Sequence, residues 1–185
     1  MKNLYLIIGA PGSGKTTDAE LIAKANPHIT HYSTGDMLRA EVANKSEMGK
    51  KIESYISKGL IVPIDIAIKT ITDAIKKAPT DTVILDGYPR SMEQLNALED
   101  HLNDDLNLVS VIEVQVSHDT AYQRVVGRNR GADDDTEVFQ NRMKIYLEPL
   151  KDIQNFYKNK NILQTVSGEQ SIEDVVADMQ KLIDI

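Results

Sequence analysis

The chain has 185 residues, 41% hydrophobic and 26% charged, with a formal net charge of −7 at pH 7. That length and balance suit one soluble globular domain with a substantial core. The acidic excess argues against nucleic-acid or membrane-surface partners, which need a basic face. With no cysteine, disulfides, thiolate metal cages and a cysteine nucleophile are excluded.

Met-Lys-Asn leads into the apolar run Leu4–Ile8, a first strand too short for the apolar region of a signal peptide. No later stretch approaches a membrane span, so a cytoplasmic protein is expected. Lys15–Ala25 reads as a helix by its Ala19, Leu21, Ile22, Ala23 stripe, stopped by Asn26-Pro27. Pro27–Tyr32 is a weaker strand signal. Residues 33–63 hold two helical patterns with no strand between them, an insertion beside the sheet. Apolar residues at 64, 67, 68, 71, 74 and 75 predict a helix over Ile64–Ala78. There follow a strand at Val83–Leu85, a helix at Ser91–Leu102, a strand at Leu108–Val116 and a helix at Thr120–Val126. Residues 127–135 are charged and apolar-poor and predict an exposed loop. A helix over Thr136–Phe156, which Pro149 is expected to bend or interrupt, a strand at Asn161–Val166 and a helix at Ile172–Ile183 complete the chain. Alternating strands and helices predict a three-layer α/β/α fold on a parallel sheet of five strands.

Gly9-Ala10-Pro11-Gly12-Ser13-Gly14-Lys15-Thr16 matches G-x-x-x-x-G-K-[ST] and falls between a strand and a helix. Glycines let successive N–H groups point at one anion, the helix start adds partial positive charge, and Lys15 adds a full one. A nucleoside triphosphate is the expected ligand, and Thr16 or Thr17 offers a hydroxyl to Mg²⁺. Two further segments, Ser33-Thr34-Gly35-Asp36-Met37-Leu38-Arg39 and Leu85-Asp86-Gly87-Tyr88-Pro89-Arg90, follow the second and third strands. In a parallel sheet both lie at the carboxyl edge, beside the phosphate loop. Arg39 and Arg90 can each grip a phosphate bidentately, and Asp86 is placed to hold Mg²⁺ through water.

These motifs, with Gly59-Leu60-Ile61-Val62-Pro63, and Arg124, Arg128, Asp133-Asp134 and Arg142 in order, resemble the adenylate kinase family over essentially the whole chain. The resemblance implies Mg²⁺-dependent phosphoryl transfer from ATP to AMP, giving two ADP; a monomer is expected because no large exposed apolar stripe stands out, and the acidic charge leaves no nucleic-acid or membrane partner expected. The resemblance implies ATP binding by Gly12, Ser13, Gly14, Lys15, Thr16, Thr17, Arg124, Arg128 and the backbone near Gln170. AMP binding falls to Thr34, Arg39, Leu60, Ile61, Val62, Gly87, Tyr88, Pro89, Arg90, Gln94, Arg130 and Arg142. The catalytic charges would be Lys15, Arg90, Arg124, Arg128 and Arg142. The core domain would comprise 1–32, 64–126 and 136–185, with 33–63 the AMP-binding subdomain and 127–135 a short lid.

Three features depart from the family pattern. Thr16 follows the loop lysine where the family commonly has Gly, which leaves Thr16 and Thr17 both open as the Mg²⁺ hydroxyl. Gly131 stands where a lid arginine is usual, with Arg130 beside it as the substitute. The short lid, without cysteine, leaves no zinc cage. Bland readings stand beside these: Ser91-Met-Glu-Gln94 fits a capping box, Arg124, Arg128 and Arg142 could be solvated helix charges, and Asp133–Asp135 a loop that ion-pairs. His28, His31, His101 and His118 have no ligand-like spacing and are expected to be structural or exposed. A UMP/CMP kinase, another phosphate-loop kinase and a nucleotide-binding regulatory module without turnover are the alternatives.

Overall fold

A computed structural model describes residues 1–102, 105–128 and 135–183. Five strands, β1 (Lys2–Gly9), β2 (Ile29–Ser33), β3 (Thr82–Asp86), β4 (Leu106–Gln115) and β5 (Leu163–Ser167), form one sheet in the order β2-β3-β1-β4-β5, every pair parallel. Among the described residues eight helices connect and flank them: α1 (Lys15–Ala25), α2 (Thr34–Ala43), α3 (Glu47–Ile56), α4 (Ile64–Lys77), α5 (Met92–Glu99), α6 (His118–Val126), α7 (Thr136–Asn159) and α8 (Ile172–Ile183).

The three layers follow from the two-residue period of β1. Leu4, Leu6 and Ile8 face Ile71 and Ile75 of α4, Leu95 and Leu98 of α5, and Ile153 and Tyr157 of α7. Tyr5 and Ile7 point the other way, into a second core with Ala19 and Ile22 of α1 and Val175, Met179 and Ile183 of α8. Each fully buried Leu or Ile contributes about 2 kcal/mol relative to exposure. The insertion packs through a small core of Leu38, Ile52 and Val62 with Ile66 of α4. Gly49 lets α3 close on α2: a Cβ there would lie 2.3 Å from the Glu41 carbonyl oxygen. Among the described residues no helix is long and apolar enough to cross a membrane.

The second strand begins two residues later than its sequence signal, because Asn26–His28 form a turn in which the Ile29 N–H reaches the Asn26 carbonyl at 3.0 Å. The last strand begins at Leu163 rather than Asn161, whose φ of 58° turns the chain out of α7. Helix α6 starts at His118, earlier than expected, because Ser117 caps it by accepting from the Thr120 N–H. Helix α7 is not interrupted at Pro149; the missing N–H costs one bond, and buried residues on either side, Met143 and Ile153, keep the helix seated.

The chain builds β2 and β3 on one side of β1, then crosses to β4 and β5 on the other. The carboxyl end of β1 is therefore a switch point, where outgoing connections diverge and leave a crevice.

Candidate active site

Residues Gly9–Thr16 leave β1 at that crevice and enter α1. Gly12 and Gly14 have φ of 83° and 95°, a left-handed conformation open to glycine. At Gly12 packing adds a second constraint, since a Cβ would lie 2.3 Å from the Ala121 carbonyl oxygen. Gly14 caps α1 and supplies no side chain to its first N–H groups. Those donors, and the positive end of the helix, are thereby offered to an anion.

Lys15 stands over this cradle, its Nζ 3.5 Å from the Ala10 carbonyl oxygen. Burial pulls its pKa down to about 8; Asp86 opposes that, and the Arg90, Arg142 and Arg128 cations push the same way as burial. Three guanidinium groups acting on one lysine concentrate positive charge beside the loop, a setting suited to an anion.

Asp86, at the end of β3, is held from two sides. The Thr16 hydroxyl donates to Oδ1 at 2.8 Å, and His31 Nε2 lies 2.5 Å from Oδ2. Both side chains of the latter pair are nearly enclosed, 8% and 2% exposed. Of the histidines expected to be structural or exposed, His31 is a buried structural one, and its partner is what the spacing does not show. His31 lies 55 positions from Asp86 and meets it only because β2 pairs with β3, Ser33 opposite Asp86. Thr17 is exposed, and of the two threonines Thr16 is the one bonded to Asp86. A hydroxyl and a carboxylate beside a phosphate cradle suit Mg²⁺, which keeps several waters and takes the rest of its shell from phosphate oxygens. Among the described residues no group of three or more His, Cys, Asp or Glu side chains could hold a metal ion.

On the α8 side of the loop an open cavity of about 360 Å³ is lined by Gly12–Asp18, Arg124, Arg128, Gly168, Gln170, Ile172 and Val175. Arg124 bridges it, donating to the Ser13 carbonyl at 3.2 Å and the Gly168 carbonyl at 2.9 Å. Gln170 turns its side chain to the Ser167 carbonyl and Asp178. The apolar flank, Ile172 with 50% exposure and Val175, escapes the sequence reading. Its only signal there is an apolar residue opening a helix just past a strand end. Asp18, 3% exposed, is a second missed residue; burial pushes its pKa up to about 6 against the pull of Arg124 and Lys15.

On the other side, Pro11, Lys15, Gly59, Leu60, Ile61, Gly87, Pro89, Arg90, Arg142, Ile145 and Tyr146 line a narrow cavity. A third cavity, lined by Gly35, Leu38, Arg39, Leu60, Arg90 and Arg142 among others, continues it beneath the insertion. Arg39, Arg90 and Arg142 thus face one space from α2, the β3–α5 connection and α7. Arg39 pairs with Asp36, and Arg90 Nε donates to the Gly87 carbonyl at 2.8 Å. Thr34 lies beside Gly87, its Cβ 3.9 Å from where a Gly87 Cβ would be, and its buried hydroxyl has no hydrogen-bond partner among the described residues.

Two residues expected to touch a ligand have side chains turned elsewhere. Val62 packs against Leu38, Ile52 and Ile66, and the Tyr88 ring is wholly buried in the main core; their chain neighbours Ile61, Gly87 and Pro89 line the cavity instead. Leu60, 45% exposed, and Ile61 keep a lining position. Gln94 makes half of a capping box: its N–H bonds the Ser91 hydroxyl at 3.1 Å, but its Oε1 accepts from Arg90 N at 2.7 Å rather than from Ser91. Arg130, Asp133 and Asp134, and so most of the lid expected at 127–135, lie outside the described residues.

The family model described as Adenylate kinase matches residues 7–162. A protein of Campylobacter lari named Adenylate kinase is 60% identical over 185 residues, 99% of this chain and 97% of its own. Proteins of the same name from Nautilia profundicola and Helicobacter hepaticus are 60% and 58% identical, with alignments covering 99% of this chain and 97% and 98% of theirs.

Proposed function

This chain belongs to the adenylate kinase family and catalyses reversible phosphoryl transfer between ATP and AMP, and from that premise we propose that the phosphate loop divides its cleft into a donor half and an acceptor half. ATP occupies the cavity between the loop and α8. Its phosphates lie on the cradle under Lys15, Arg124 and Arg128, and its adenine lies near Gln170 against Ile172 and Val175. AMP occupies the opposite cavity, its phosphate gripped by Arg39 and Arg90 and its base set among Thr34, Leu60, Ile61 and Gln94. The Oε1 of Gln94 is committed to a backbone donor, which leaves its amide N–H groups to read a purine edge. Arg142 reaches between the two nucleotides.

The observation that carries this division is that Lys15 lines both the cavity on the α8 side of the loop and the narrow one on the other side, where Arg90 and Arg142 also stand. Two anion sites thereby meet head to head at the phosphate loop. The attacking oxygen belongs to the AMP phosphate, already ionised at neutral pH, so no general base is required. The chain's own work is to align the two phosphates and neutralise charge as it develops. Mg²⁺ would be held by Thr16 and, through water, by Asp86, and supplies positive charge on the ATP phosphates. Residues 33–63, packed together round Leu38, Ile52 and Val62 and seated on Ile66 of α4, form a subdomain that opens to admit AMP and closes to exclude water. A cytoplasmic monomer is the matching setting.

The test measures ADP formation from ATP with AMP, CMP or UMP, with and without Mg²⁺, at subsaturating acceptor. AMP should be preferred and Mg²⁺ required. CMP or UMP matching AMP would reject the purine slot, and full activity without divalent cation would reject the metal assignment.

A further inference from the structure

The ring of Tyr88 is 0% exposed, inside the core formed by the sheet, α4, α5 and α7. A buried phenol needs a partner for its hydroxyl, and this one donates to the Gln94 carbonyl at 2.6 Å. Burial alone does not dictate that bond. Tyr157 is buried to the same degree in the same core, and its hydroxyl has no hydrogen-bond partner among the described residues. The tyrosine that is anchored is therefore the one next to the acceptor residues. Gln94 sits in the first turn of α5, where its carbonyl belongs to the regular helix pattern, so the phenol is an additional anchor on it. Around this anchor the segment closes on itself. The Ser91 hydroxyl takes the Gln94 N–H at 3.1 Å, Gln94 Oε1 takes Arg90 N at 2.7 Å, and Arg90 Nε reaches the Gly87 carbonyl at 2.8 Å.

We propose that Tyr88 is a positioning residue for the acceptor nucleotide: its hydroxyl, reaching out of the core, fixes the Gln94 turn and through it Arg90, without touching the ligand. A loose turn would let the Gln94 amide swing away from the base while Arg90 lost the backbone bond that orients it. The effect should fall mainly on one substrate, because the four hydrogen bonds described for this circuit all lie within residues 87–94. The inference rests on the acceptor assignment made above, and its test separates the two.

Steady-state ADP formation is measured with each nucleotide varied in turn, for Tyr88→Phe, Tyr157→Phe and Gln94→Leu, with thermal melting of each variant. Tyr88→Phe keeps the ring and removes one neutral hydrogen bond, so KM for AMP should rise about fivefold. KM for ATP should stay within about twofold of the parent, the scatter of a neutral change, and the preference for AMP over CMP should narrow. Tyr157→Phe should move the melting temperature alone. If Tyr88→Phe behaves like Tyr157→Phe while Gln94→Leu raises KM for AMP, or if Tyr88→Phe raises both KM values equally, the positioning role is wrong. If Gln94→Leu itself leaves KM for AMP and the AMP-to-CMP preference unchanged, the acceptor assignment fails and takes the proposal with it.

Discussion

The two halves of the cleft are built by opposite means. On the proposed donor side one continuous segment, Gly9–Thr16, supplies the phosphate cradle from its own backbone, and distant groups close round it: Arg124 of α6, Arg128 just past that helix, and Gln170, Ile172 and Val175 beside or on α8. On the proposed acceptor side four separate stretches each lend one or two side chains to the cavities: Arg39 of α2, Leu60 and Ile61, Pro89 and Arg90, and Arg142 of α7. The lesson concerns tolerance. A backbone cradle depends on conformation, so its vulnerable points are glycines and one lysine. A side-chain cage depends on how helices and connections pack, so each arginine carries a separable share.

The strongest challenge to that contrast is Lys15→Met. It should lower kcat at least about 1000-fold, roughly 4 kcal/mol of transition-state stabilisation, while the far-ultraviolet spectrum and melting curve stay near the parent's. Activity within about tenfold, or ~1.4 kcal/mol, would remove the lysine from the chemistry.

Arg90→Ala comes next and should divide the halves cleanly. Loss of a charge-assisted phosphate grip should cost kcat/KM for AMP about 100-fold, or ~3 kcal/mol, with KM for ATP little changed. An equal rise in both KM values would mean that the donor and acceptor sites are not separate.

Asp18 sharpens the donor side through pH. Its pKa is raised from 3.8 to about 6, first by burial, so the folded chain holds this proton more tightly than the unfolded one. Stability from this group is therefore present below pH 4, falls as pH rises toward 6, and stays lower above it. The shift is worth on the order of 2–3 kcal/mol at neutral pH. Asp18→Asn should recover that amount at pH 7 and nothing below pH 4, measured by urea unfolding across the range. A difference independent of pH would show that the carboxylate is not the source.

The smallest effect is expected from Asp135→Ala. Asp135 caps α7 by accepting from the Glu137 and Val138 N–H groups at 2.8 and 3.4 Å. Its loss should cost about 1 kcal/mol of stability and leave KM for AMP nearly untouched, although Arg142 lies on the same helix. A large rise in that KM would mean that the acceptor side relies on the cap to hold Arg142 in place.

What the sequence determined by itself is what neighbouring residues decide among themselves. The glycine spacing before Lys15 specifies a loop whose donors face an anion, because the left-handed turns at Gly12 and Gly14 and the start of α1 are local events. The stripe from Ile64 to Ile75 likewise specifies a helix, and Leu4–Ile8 a strand buried on both faces. Tertiary structure alone decided which distant groups meet. Strand order brought His31 to Asp86; the crossing of α1 and β3 chose Thr16 rather than Thr17 as its other partner. Packing of α4, α5 and α7 drew the Tyr88 side chain into the core and away from the cavity, and the docking of α8 set Ile172 and Val175 beside the loop. Such meetings leave no trace in spacing, because they depend on sheet register and on which face of each helix finds the sheet, and those are properties of the assembled chain rather than of any segment.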